Sequence, residues 1–265
     1  MKKQTRCYEN KKPFFTKRVL CVCAGVIVAV FVLLLITSAV ACSAISQYNT
    51  AVAEFNSLVD EYNQAAFLTS VDNVIGVPTS VDKLNVESTS LFEGLSVIFG
   101  KNSIQKIHSD TQTVYDLANQ LRDSMKIIKQ ITAPDTAWVE NRIKSVSGVT
   151  NAEAVTEQNN PDGLLEKEGG YIGCVYFAYD KIDADAILGT SVVEKGTDAG
   201  GAVEIYATLA EAEARCEYLS GFDDTVLYSG SYAIVGTTVI RTSYLLTNEE
   251  QFDLTNALTQ ALTKE

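Results

Sequence analysis

The chain has 265 residues, 46% of them hydrophobic, with 33 acidic and 21 basic side chains and a net charge of −12. That length allows one to three domains. Seven basic residues crowd into residues 1–18, "MKKQTRCYENKKPFFTKR", against Glu9 alone, so residues 19–265 carry a net charge of −18. So acidic a body argues against nucleic acid or anionic lipid as partners, since phosphate binding needs a basic footprint.

From Val19 to Phe55 the only charge is Glu54, and "VLCVCAGVIVAVFVLLLITSAVAC" is nearly all apolar. A helix crosses a hydrocarbon core in about 20 residues, so residues 19–41 are predicted to span a bilayer. The basic N-terminal flank predicts a cytoplasmic tail over 1–18 and an exported body. Two processing alternatives exist. Ala39-Val40-Ala41 is a small-residue cleavage site, and "SAVACS" resembles a lipobox with Cys42 as the lipidated residue. The apolar run is longer than the roughly 7–15 residues of a signal core, and Ala39 stands where lipoboxes carry Leu. The uncleaved anchor is therefore the expectation. Cys7, Cys21, Cys23 and Cys42 lie in the tail or span, which leaves Cys174 and Cys216 in the exterior. Two ligands cannot build a structural zinc site; the pair either forms one disulfide in an oxidising compartment or stays as two buried thiols.

Beyond the span, Ile45, Tyr48, Val52, Phe55, Val59, Tyr62 and Ala66 are spaced alternately by three and four, a coiled-coil-like stripe on a helix leaving the membrane. A second run (Val81, Leu84, Ser88, Leu91, Leu95, Ile98) and a third (Ile104, Ile107, Thr111, Val114, Ala118, Leu121, Met125, Ile128) repeat the spacing. Gly76 and Pro78 break the chain between the first two, and Gly100 turns it before the third. Short connections favour antiparallel neighbours, so a helical hairpin or three-helix stalk is predicted over residues 44–131. His108, the lone histidine, has no HExxH partner and reads as a boundary residue.

After Pro134, "DTAWVENRIKSV" reads as a short helix with Val139, Ile143 and Val146 toward a core. From Gly148 the texture turns β-rich: "AEAVTEQ", "YIGCVYFAY", "AVEIYAT", then "TVLYSGSYAIVGTTVIRTSYLL", read as two strands turning at Ser229-Gly230-Ser231. Pro161-Asp162-Gly163 reads as a tight turn. Thr208 with Glu211, and Thr247 with Glu250, match the capping box. The helices they open carry the stripes Leu209, Ala212, Cys216, Leu219 and Leu254, Ala257, Leu258, Ala261, Leu262. The order helix-β-β-β-α-β-β-α predicts an α+β domain over 132–265, its helices on one face of a largely antiparallel sheet.

The glycine cluster in "EKGTDAGGAVEIYATLAEAEARCEYL" lacks the lysine of a Walker A loop, and Asp198 would repel a phosphate. A dinucleotide fingerprint follows a strand and opens a helix; this cluster precedes the strand, so it is read as a turn or rim loop. "QNNPDGLLEKE" lacks the first and twelfth acidic ligands of an EF-hand; a solvated acidic loop is expected, with a calcium site from Asp162, Asp180, Asp183 or Asp185 as the alternative. There is no GxSxG elbow, and Cys216 falls on an apolar helix face. Glu204 and Glu211 cannot be told from surface acids. Arg241, on a strand face read as continuing through Ala233, Val235, Thr237 and Val239, is expected to be partly buried and to need an anionic partner. Glu204 is the internal candidate and a ligand carboxylate the functional one. No cofactor is expected.

Through "EKEGGYIGCVYF", "KGTDAGGAVEIY" and "VGTTVIRTS", the chain resembles a set of membrane-anchored extracellular proteins of Gram-positive bacteria. The resemblance covers most of the exported part and implies a bacterial surface location. It carries no assigned activity and transfers no functional residue. The missing catalytic constellation points to a non-enzymatic module binding a surface protein, peptide or wall component. A ligand receptor or an enzyme with a site invisible to motifs is the alternative.

Overall fold

The computed structural model describes residues 17–87, 97, 104–223, 225 and 228–264, with side chains from Gly25 onward. The basic tail before Lys17, the expected helical positions Ser88, Leu91, Leu95 and Ile98, and the turn at Gly100 lie outside the described residues. The chain divides into two compact units, Met1–Glu54 with Asn85–Tyr115, and Phe55–Leu84 with Asp116–Glu265.

In the first unit, helix α1 (Lys17–Phe67) begins. Its stretch from Gly25 is the one helix among the described residues long and apolar enough to cross a membrane. Val26, Ile27, Val28, Phe31, Leu33 and Ile36 are each at least half exposed, as a lipid-facing helix requires and a soluble core helix does not show. Further along, Ala41 and Ile45 are buried with Val97, and Ile104 and Ile107 pack against them. His108 is exposed.

In the second unit, α1 buries Phe55, Val59, Tyr62 and Ala66, and helix α2 (Ile104–Ile131) buries Ala118, Leu121, Met125, Ile128 and Ile131. Both stripes lie where the spacing placed them. The run expected to be helical from Val81 is helical at Val97, near its end, but not where it begins: residues 81–87 are extended. Asparagines of α1 hold them so. The Asn63 amide donates to Val81 O and accepts from Val81 N, both at 2.9 Å. Asn56 makes the same pair with Leu84 at 2.8 Å, and within the first unit Asn49 does so with Glu87 at 2.7 and 2.8 Å. Seven helical residues rise about 10.5 Å and three extended residues about 9–10 Å, so the two periods keep step. The three-residue interval of Val81 and Leu84, read as helical, belongs to this ladder.

Helix α3 (Thr136–Lys144) is capped by the Asp135 carboxylate, which accepts from Trp138 N at 3.0 Å. Five strands follow: β1 (Val149–Ala154), β2 (Gly173–Tyr179), β3 (Gly200–Ile205), β4 (Tyr232–Val235) and β5 (Thr238–Thr242). They form one antiparallel sheet in the order β1-β2-β3-β5-β4. Helices α4 (Leu209–Ser220) and α5 (Asn248–Thr263) start at the two predicted capping boxes.

The expectation of helices on one face is corrected. Helices α3 and α5 cover one face, while α4 and the helical turn Val192–Lys195 cover the other. Every residue of β3, and all of β2 except Tyr179, is buried, so both faces need cover. The last two strands also turn elsewhere, at Gly236-Thr237, where Gly236 has φ +66. There Gly236 N donates to Ser70 O (2.7 Å) and Thr237 N to Ile131 O (3.0 Å). A Cβ on Gly236 would stand 2.0 Å from the Ile131 carbonyl oxygen, so only glycine fits. Ala233 and Val235 consequently do not share a face with Arg241. Its lateral neighbours are Ala202 and Tyr232.

Candidate functional site

The α4-covered face of the sheet carries Cys174, Glu204 and Val239 in one register row and Tyr176, Ala202, Arg241 and Tyr232 in the next. Most of these side chains are apolar and pack into one core cluster. Glu204 and Arg241 are the charged exceptions, and α4 lowers a third charge onto them.

Glu204 is fully buried. Its Oε2 accepts from Arg215 Nε (2.8 Å) and Tyr206 Oη (2.9 Å); its Oε1 accepts from Arg215 Nη2 and Arg241 Nη1, both at 2.9 Å. Arg241 Nη2 donates to Ser229 Oγ at 2.9 Å. Burial pushes the Glu204 carboxyl up, but the Arg215 hydrogen bonds and the charges of Arg241 and Arg215 outweigh it and hold the group below the ordinary carboxylate range. The two arginine side chains are 13% and 11% exposed. The network thus holds two positive charges against one negative.

What remains exposed of the arginines opens into a cleft of about 570 Å³, lined also by Asp162, Leu164, Tyr176, Tyr218 and Phe222. The guanidinium carbon of Arg215 lies 5.4 Å from the Tyr218 ring centroid, within cation–π range. A guanidinium has five N–H donors. Arg215 uses Nε and Nη2 and Arg241 uses Nη1 and Nη2, which leaves Arg215 Nη1 and Arg241 Nε without a hydrogen bond among the described residues. No buried polar side-chain atom among the described residues lacks a partner, so these donors reach solvent through the cleft. Asp162 stands on its lip; its Oδ1 accepts from Tyr171 Oη (2.7 Å) and Leu164 N (3.1 Å).

Of the residues singled out from sequence, Glu204 and Arg241 meet directly. Glu211 closes the α4 capping box, accepting from Thr208 N at 3.0 Å. Arg215 is a member of the site that the sequence reading does not single out, although Ala212, Arg215, Cys216 and Leu219 follow the i, i+3, i+4, i+7 stripe. An arginine inside an apolar stripe is the legible signal. Tyr206 and Ser229 carry none.

Cys174 is buried and Cys216 half-buried, both as free thiols. Burial pushes the Cys174 thiol up and that of Cys216 to about 11. Cys42 lies within the continuous α1. The glycine cluster forms a 3-10 turn, Gly196–Ala199, that feeds β3. A Cβ on Gly201 would stand 2.1 Å from Arg241 O and 2.5 Å from the Phe177 ring, so this glycine admits close strand and ring packing. Asp183 accepts from Asp185 N, capping a 3-10 turn. Among the described residues no three His, Cys, Asp or Glu side chains are grouped to hold a metal ion. Searches of family models, curated proteins and solved structures find no match to this chain.

Proposed function

We propose that this protein is a single-pass membrane protein, with a cytoplasmic N-terminus and an α+β domain held outside on a helical stalk. The domain binds a small organic carboxylate with an apolar body. The carrying observation is the pair of guanidinium groups in the cleft, which outnumber their one buried carboxylate and keep unpaired donors at its surface. Such donors suit a carboxylate in bidentate geometry, and Tyr218, Phe222 and Leu164 supply an apolar wall. The Asp162 charge on the lip weighs against a multiply charged phosphate ligand.

The uncleaved anchor is supported by the unbroken α1 and by Ala41, fully buried against Ile45 and Val97. Cleavage before Cys42 would remove that side chain. A mature protein lacking residues 1–41 and carrying lipid on Cys42 would overturn it. Protease added to intact cells should remove the α+β domain and spare the tail; the reverse pattern would sink the topology.

The ligand class is tested by calorimetric titration of the full-length protein in lipid nanodiscs with small aromatic and aliphatic carboxylates and their neutral amides. Selective carboxylate binding, weakened at least tenfold by Arg215→Lys, is expected. The absence of any carboxylate preference refutes the reading.

A further inference from the structure

Within the same unit, a groove of about 370 Å³ lies beside helix α5 and edge strand β4. No charged side chain lines it, although 20% of the chain is charged. From α5 it takes Asn248, Gln251, Phe252, Thr255, Asn256 and Thr259. Spacings of 3, 1, 3, 1 and 3 put these on one helical stripe, while Glu249, Glu250 and Asp253 fall outside the lining.

Gln251 is buried and fixed: its Oε1 accepts from Ser231 N and its Nε2 donates to Leu246 O, both at 2.9 Å. Asn73 lines the groove as well and donates to Ile234 O at 3.2 Å, occupying an outward carbonyl of the edge strand. Phe252 is 67% exposed. Asn248 and Asn256, four residues to either side of it, are exposed and make no side-chain hydrogen bond among the described residues.

We propose that this groove binds a neutral carbohydrate. Each sugar hydroxyl both donates and accepts, and a carboxamide offers two donors and an acceptor in fixed geometry, so Asn248 and Asn256 match a hydroxylated ligand. The exposed Phe252 ring between them offers a flat apolar surface for the C–H face of a pyranose. An anionic ligand finds no cation in the lining. A peptide strand finds the Ile234 carbonyl already taken.

The test uses the full-length protein in lipid nanodiscs free of glycosidic detergent, applied to an array of neutral mono- to tetrasaccharides of glucose, mannose, galactose and N-acetylglucosamine. The strongest hit is then titrated calorimetrically. Binding should fall at least tenfold in Phe252→Ala and in Asn256→Ala, both exposed positions whose folding is checked by Trp138 emission. It should be unchanged in Leu188→Ala, an exposed apolar position outside the groove. The proposal is overturned if no neutral sugar binds, if both groove variants bind as the parent does, or if binding falls as far in Leu188→Ala as in the groove variants.

Discussion

Replacing Glu204 by Gln tests whether the arginine pair depends on its buried carboxylate. Glu204 accepts four hydrogen bonds at 2.8–2.9 Å from Arg215, Arg241 and Tyr206. Glutamine keeps one acceptor oxygen and turns an NH₂ toward guanidinium donors, leaving two nearly buried cations without a counter-charge. Breaking a buried pair in this way costs about 3–5 kcal/mol, a large share of a stability on the order of 5–15 kcal/mol. Trp138, the single tryptophan, lies in the same unit on α3, so urea unfolding followed by its emission reads the change. The pH dependence has a definite sign. The folded pKa of Glu204 is depressed, so its contribution is complete above the unfolded carboxylate pKa of about 4.3. It is lost as pH falls through the folded value. Glu204→Gln should therefore flatten the fall in stability below about pH 4. A loss under about 1 kcal/mol at neutral pH, in the range of exposed pairs, would refute the argument.

Three further outcomes are expected. Asn56→Ala removes both bonds to Leu84 and should cost about 1–3 kcal/mol, with faster amide exchange at Leu84; unchanged exchange would mean that the ladder does not hold the extended segment. Gly201→Ala drives a Cβ into the Arg241 carbonyl and the Phe177 ring and should destabilise by about 1–3 kcal/mol or more, whereas Gly25→Ala, inside α1 with nothing within 4 Å, should cause no destabilisation, alanine being the better helix former. Cys174 and Cys216, free and with thiols pushed up by burial, should resist alkylation at pH 8 in the native protein and label fully in denaturant without reductant; a need for reductant would reveal a disulfide.

Features encoded over a few neighbouring residues are legible in the amino-acid sequence itself. The apolar stretch after Lys17 is helical and long enough for a membrane, because length and composition alone decide that. The α1 and α2 stripes are buried where their spacing puts them. Both capping boxes open helices, because a hydroxyl and a carboxylate three residues apart act within one turn. The element order from α3 to α5 is readable for the same reason. Local patterns fail where two conformations share a period. A spacing of three, as between Val81 and Leu84, fits a helix and a polyproline-like extended segment alike, and asparagines 18 and 28 residues away decide between them. The tightest point of the last hairpin is ambiguous in sequence because Gly230 and Gly236 both offer a turn; the Ile131 and Ser70 backbones select the second.

The site shows the same division. Sequence alone marks Arg241 as a cation in an apolar strand and Glu204 as one internal candidate for its partner. The antiparallel pairing of β3 with β5 brings them together across 37 positions, and α4 adds Arg215 from eleven residues beyond Glu204. Periodicity and capping report forces acting within a turn or a strand, so the chain displays them in its own order. The cleft is made by strand order and helix placement, which depend on how distant apolar faces bury one another, and only the tertiary structure sets those.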